Sequence, residues 1–140
     1  MELIVDANIV VAAILKDGLT RNLLFNSNLY LYGPENLSLE IMEHETEFIS
    51  KLGVGKAEFD NLTSALLNNL EILPLAYFEK KKKEALEFVP DRNDWPYFAV
   101  ALLKGCAVWS NDKRLKEQKK IKVISTEELY SQLSKREWLQ

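Results

Sequence analysis

The chain carries one cysteine, Cys106, and one histidine, His44, and its five glycines and four prolines are spread thinly over 140 residues. A single thiol closes no internal disulfide, and with no CxxC pair a cysteine-based metal cage or dithiol redox centre is excluded. Cys106, between Gly105 and Ala107 at a helix-to-strand junction, reads as structural. Glycine and proline form no linker, repeat or low-complexity tract; the prolines sit at element edges. Long apolar runs are also missing. The longest, Trp95 to Leu103, is too short to cross a bilayer, and the opening Met1-Glu2-Leu3-Ile4-Val5-Asp6 lacks the basic flank and cleavage site of a signal peptide, so a soluble, cytoplasmic protein with no membrane partner is expected. There is no excess of positive charge either. A formal net charge of −3 argues against a surface given over wholly to nucleic acid.

What is present is a large apolar fraction, 47%, beside 28% charged residues, which suits one globular domain spanning 1–140. Short β-branched or alternating runs predict strands over 2–6, 29–32 (ending at a Gly33-Pro34 turn), 71–73, 107–109 and 122–124. Helical patterns fall between them, over 8–15, 20–25, 36–53, 56–69, 77–88, 95–104, 113–118 and from 126 onward. The alternation predicts an α/β fold, a three-layer α/β/α sandwich around a central, mainly parallel sheet. The basic residues gather in two clusters: Lys80 to Lys83, and the set Lys113, Arg114, Lys116, Lys119, Lys120 and Lys122. Each on its own reads as a solvated helix face, but the second directly follows Asp112.

Two of the apolar runs stop at acids. Leu3-Ile4-Val5 delivers Asp6, and Ala107-Val108-Trp109 delivers Ser110-Asn111-Asp112. Open parallel sheets place their chemistry at the carboxyl ends of their strands, so these distant aspartates are expected to meet. Each has a plain structural alternative as a helix N-cap, and for Asp94, ahead of the helix from Trp95, capping is the better single explanation. On the predicted helix over 36–53, Glu40, Glu43, Glu45 and Glu47 compete for a place in the same crevice; Glu45 falls within the apolar arc and Glu40 at its margin. His44 reads as a boundary residue.

Several carboxylates with no cysteine partner suit a hard, oxygen-preferring cation, so Mg²⁺ or Mn²⁺ is favoured over zinc. Ions of that kind activate water and stabilise charge on a phosphoryl group. Rival chemistries lack their residues: no Gly-rich phosphate loop follows the first strand, no G-x-S-x-G elbow occurs, and a dehalogenase-like phosphatase would want an acid where Asn8 stands. Receiver domains want an early acidic pair and a late lysine, in an order the chain does not follow.

Four blocks, in order, resemble a PIN-domain ribonuclease: Leu3-Ile4-Val5-Asp6-Ala7-Asn8; Gly33-Pro34-Glu35 leading to Glu40-Ile41; Asp91-Arg92-Asn93-Asp94-Trp95-Pro96-Tyr97-Phe98-Ala99; and Val108-Trp109-Ser110-Asn111-Asp112-Lys113-Arg114-Leu115. The resemblance implies a catalytic, metal-binding quartet of Asp6, Glu40, Asp94 and Asp112, supported by Asn8, Asp91 and Ser110. It favours Glu40 over Glu43 and Glu45 as the helix ligand. It further implies Mg²⁺ or Mn²⁺ as cofactor, endonucleolytic cleavage of RNA, and contacts to the RNA backbone from Lys113, Arg114 and Lys116. Toxin-type members would add an antitoxin protein and a second copy of the chain as partners; an RNA-processing nuclease and a non-catalytic PIN-like binding module are the alternatives. Arg114 departs from the pattern, because the family often has a second acid there.

Overall fold

Leu3, Ile4 and Val5 are almost wholly inaccessible to solvent. Such burial suits a strand covered on both faces. In the computed structural model of the chain, which describes residues 1–139, they form the central strand of a fully parallel sheet. The strands are β1 (Glu2–Val5), β2 (Tyr30–Pro34), β3 (Leu70–Leu73), β4 (Ala107–Trp109) and β5 (Val123–Ile124), in the order β3-β2-β1-β4-β5. Leu3 pairs with Leu31 on one side and Ala107 on the other, and Val5 with Trp109. The chain winds outward from β1 through β2 to β3, then returns to place β4 on β1's other edge. The β1/β4 boundary is thus the point where strand order reverses and a crevice opens at the carboxyl ends.

The helices form the two outer layers of the expected sandwich. Helix α1 (Ala7–Leu15) leads through α2 (Leu19–Leu24) and packs with α3 (Asn36–Glu43), α4 (Glu45–Leu52) and α5 (Lys56–Leu67). Helix α8 (Trp95–Lys104) lies across β1, β2 and β4, flanked by the short α6 (Leu75–Phe78) and α7 (Lys82–Leu86). It is apolar nearly all round, and Pro96 through Ala101 are all buried, as expected for a helix seated on a sheet. Gly105 ends it in the left-handed region, φ 65°, its N–H donating to Ala101 O at 2.8 Å. Helix α9 (Thr126–Lys135) starts with a capping box from Ser125 and Glu128, and Thr126 Oγ1 accepts the buried Trp109 indole N–H at 3.0 Å, which ties the helix to β4. Trp138 and Leu139 pack against the core of this same chain, and the Trp138 carbonyl accepts from the side-chain amides of Asn26 and Asn28. Among the described residues no helix is long and apolar enough to cross a membrane.

Three expected helices are broken. The one expected over 36–53 divides at His44, because residues 43–47 offer three glutamates and no apolar side chain to hold a turn on the core. The break sets Phe48 against Phe59 of α5, ring centroids 6.4 Å apart. The one expected over 77–88 divides into α6, a 3-10 turn at Glu79–Lys81 and α7. Four consecutive lysines place like charges at i,i+3, which weakens a regular helix. The one expected over 113–118 is a 3-10 turn, Lys113–Glu117, anchored by Leu115 alone and closed by the Gln118 amide, which bonds Leu115 O, Ile121 O and Ile121 N.

Gly33, near the end of β2, controls how closely α3 approaches the sheet. A Cβ there would stand 2.8 Å from Leu37 Cδ2, and Leu37 is itself fully buried. Gly33→Ala is expected to destabilise the fold by about 1–3 kcal/mol through overpacking, read as a lower urea midpoint at unchanged m-value; an unchanged midpoint would show that α3 yields freely.

Candidate active site

Asp6 follows β1 without a break in the ladder: its N–H donates to Trp109 O at 3.0 Å, and Ser110 N–H donates to Ile124 O at 3.0 Å. The pairing sets Asp6 beside Ser110, whose hydroxyl donates to Asp6 Oδ2 at 2.7 Å. The same Ser110 Oγ accepts from Asn8 Nδ2 at 3.1 Å and from Asp112 N–H at 3.0 Å. One hydroxyl therefore joins the segments after β1 and after β4. Its burial, 1% exposed, follows from its place one residue beyond Trp109.

Glu40 reaches the crevice from α3, where Asn36 Nδ2 and the Tyr97 hydroxyl both donate to its Oε1, at 2.8 and 3.1 Å. Glu43 is exposed, Glu45 pairs with Lys56 and Glu47 with Lys51, so of the four candidates only Glu40 is felt by Asp6. Asp94 stands at the head of α8. Its expected capping role is not found: neither Asp6 nor Asp94 makes a side-chain cap hydrogen bond, whereas Asp91 accepts from Asn93 N–H and Asp112 from Arg114 N–H. A turn cap fully accounts for Asp91. Asp112 is further gripped by the Arg114 guanidinium, with Nε on Oδ1 at 3.2 Å and Nη2 on Oδ2 at 2.9 Å.

The acids divide into two electrostatic classes. Burial is the largest cause that pushes the Asp6 carboxyl up from 3.8 to about 6, with Glu40 and Asp112 adding repulsion against the opposing Ser110 hydrogen bond. Asp94 rises to about 6 as well, first from burial and then from the charges of Asp6, Asp91 and Asp112. Burial also raises Glu40, against its bonds from Tyr97 and Asn36. Asp112 moves the other way, because Arg114 holds it below the ordinary carboxylate range.

Asp6, Glu40, Asp94 and Asp112 therefore act on one another, yet among the described residues no group of three or more His, Cys, Asp or Glu stands close enough to hold an ion. One of them, Asp112, has both oxygens taken by Arg114. Their chemistry nonetheless suits a hard cation. The donors are all oxygens, and beside them the amide oxygens of Asn8 and Asn36 are buried with no partner, acceptors left over in a crevice already rich in acceptors. Sequence reasoning missed Asn36 and Tyr97. The spacing of Asn36, one turn before Glu40, was a usable signal; the reach of Tyr97 across to α3 was not. The basic set over 113–122 is also divided. Lys113, Arg114 and Lys116 follow β4 beside the acids, whereas Lys120 and Lys122 line a cavity with Gly105 and Cys106 at the opposite end of β4. The Cys106 thiol there is pushed up by burial to about 11, consistent with an inert structural role.

A family model described as PIN domain matches residues 4–134. Among solved structures the fold is similar to a chain of VapBC2 from Rickettsia felis, crystallised bound to a DNA fragment from its promoter, with TM-score 0.67, 17% identity, and coverage of 89% of this chain and 98% of that one. No curated protein matches the sequence.

A carboxyl whose pKa is raised in the folded state binds its proton more tightly folded than unfolded. Its stabilising contribution is complete below about pH 4 and is lost as pH rises through about 6. Asp6→Asn removes that penalty. The metal-free variant is expected to match the parent's stability near pH 4 and to exceed it by on the order of 2 kcal/mol at pH 7, measured by urea unfolding across the range. Equal stability at both pH values would mean the Asp6 carboxylate pays nothing for its burial.

Proposed function

This chain belongs to the PIN domain family, and we propose that it is a Mg²⁺- or Mn²⁺-dependent endoribonuclease whose metal-binding and catalytic residues are Asp6, Glu40, Asp94 and Asp112. One observation carries this: at the strand-order reversal the buried Asp6, held by the Ser110 hydroxyl, and the half-buried Asp94 feel each other's charge, and neither side chain caps the helix it precedes. A structural core rarely keeps unpaired acids, whereas functional sites gather them.

A bound divalent ion supplies Lewis-acid stabilisation of the phosphoryl charge and a more acidic water. The chain's residues hold and orient that site. Ser110 fixes the Asp6 carboxylate and, through Asn8 and the Asp112 amide, the loop after β4. Asn36 and Tyr97 fix Glu40, and Asp91 shapes the turn that presents Asp94. Lys113, Arg114 and Lys116 border the acids and take the RNA phosphates, as point charges or, for Arg114, as a fork. Similarity to a chain of VapBC2 supports the toxin of a toxin–antitoxin pair, with an antitoxin protein as partner, over a housekeeping RNA-processing role; a second copy of the chain as partner rests on the family resemblance alone. The fork of Arg114 on Asp112 favours the rival, a non-catalytic RNA- or protein-binding module, because it occupies both oxygens of one proposed ligand.

The purified protein is expected to cut single-stranded RNA with Mn²⁺ present, and Asp6→Asn to lose at least about 100-fold in rate. Absence of cleavage over a panel of structured and unstructured RNAs, with no heat of Mn²⁺ binding in calorimetry, would establish the scaffold instead. Arg114→Ala frees Asp112 and should tighten Mn²⁺ binding about two- to fivefold, the scale of an exposed ion pair, while weakening RNA binding.

A further inference from the structure

A cleft of about 580 Å³ adjoins the acidic crevice and shares Ser110 and Asp112 with it. Its volume lies within the roughly 300–1,000 Å³ of small-ligand pockets. Beyond Asp112 the lining carries one further acid, Glu127 on α9, set against Lys113 and Lys116. Leu19, at the start of α2, and Tyr130, on α9, both line the cleft while 42% and 43% exposed. Large apolar side chains left in solvent at a concave surface mark a place where a ligand sits.

Its polar groups are placed differently from those of the acid site. Asn111 lines the cleft with its Oδ1 committed to Thr126 N–H at 2.8 Å, which fixes the amide's orientation and leaves Nδ2 as a donor with no acceptor among the described residues. Lys113 and Lys116 line it as well; Lys116 is steadied by Glu128 on α9, and among the described residues Lys113 makes no ion pair. A second cavity of about 420 Å³ continues the groove past Leu19, lined also by Leu15 and Lys16.

An aromatic ring, an aliphatic side chain, an oriented amide donor and two cations are what an unstacked nucleotide requires. We propose that this cleft is a nucleobase subsite, holding the base next to the scissile phosphate. The base stacks on Tyr130, Leu19 adds apolar surface to the same cleft, Asn111 Nδ2 donates to an acceptor on the base edge, and Lys113 and Lys116 hold the flanking phosphates. The proposal rests on the RNA-cleaving function above and adds to it the residues that choose which nucleotide is presented for cleavage.

The test measures binding apart from cleavage. In an Asp6→Asn background, fluorescence anisotropy with a labelled single-stranded RNA compares Tyr130, Tyr130→Phe and Tyr130→Ala, each checked by thermal melting. Loss of one base stack should weaken binding about 10-fold in Tyr130→Ala and less than about twofold in Tyr130→Phe. An abasic residue scanned along the RNA should, at one position, weaken parent binding similarly and erase the difference between parent and Tyr130→Ala. Parental affinity in Tyr130→Ala, or a loss that no abasic position absorbs, overturns the subsite and assigns the cleft to another occupant, such as a partner protein. Because no cleavage is needed, a parent that fails to cut RNA refutes the nuclease function separately.

Discussion

The parallel pairing of β1 with β4 is the constraint on which the rest depends. Val5 opposite Trp109 sets Asp6 opposite Ser110, and every polar contact across the crevice inherits that register. A slip of one residue toward the interior would put the Asp6 carboxylate in the place of Val5, between two covered faces, and the burial of Leu3, Ile4, Val5, Val108 and Trp109 makes such a slip prohibitive. Apolar packing, not polar attraction, positions the acids. The indole bond from Trp109 to Thr126 extends the same constraint to α9, so the wall carrying Tyr130 is held in register with the wall carrying Asp6.

Within that frame the carboxylates divide by their company. Asp112, near solvent with a guanidinium across both oxygens, is comfortable as an anion. Asp6, buried, and Asp94, half-buried, each beside other acids, are not. Ser110 moderates the conflict by giving one hydroxyl proton to Asp6 while accepting from Asn8 and from the Asp112 amide. The site is a local loss of stability maintained by a core that tolerates it, the usual relation between an active crevice and its scaffold.

Much of this was legible in the sequence, and the failures have identifiable causes. Runs such as Leu3-Ile4-Val5 and Ala107-Val108-Trp109 are short, β-branched and bounded, so strand identity and the parallel class followed from pattern alone. Helix α8 was equally plain, with Pro96 near its start and Gly105 just past its end. Helix continuity was misjudged at His44, over the lysine run and after Asp112, where charge crowding and sparse anchoring outweigh periodicity. The capping preference for Asp94 failed because the turn before α8 is capped by Asp91, three residues earlier. Which glutamate faces the crevice was settled by Tyr97, a contact across elements that no local window contains.

The long-range character of β1–β4 pairing also has a temporal side. Parallel strands cannot close through a local hairpin; β1 can pair with β2 after one crossover, but its other edge waits for β4, far along the chain. During synthesis Asp6, Glu40 and Asp94 all leave the ribosome before Trp109 can receive the Asp6 amide or Ser110 can hold its carboxylate. Until then the crevice does not exist. The order of strands in the sheet thus works as a delay: a nascent chain that stops short of β4 carries its acids without the crevice that gathers them.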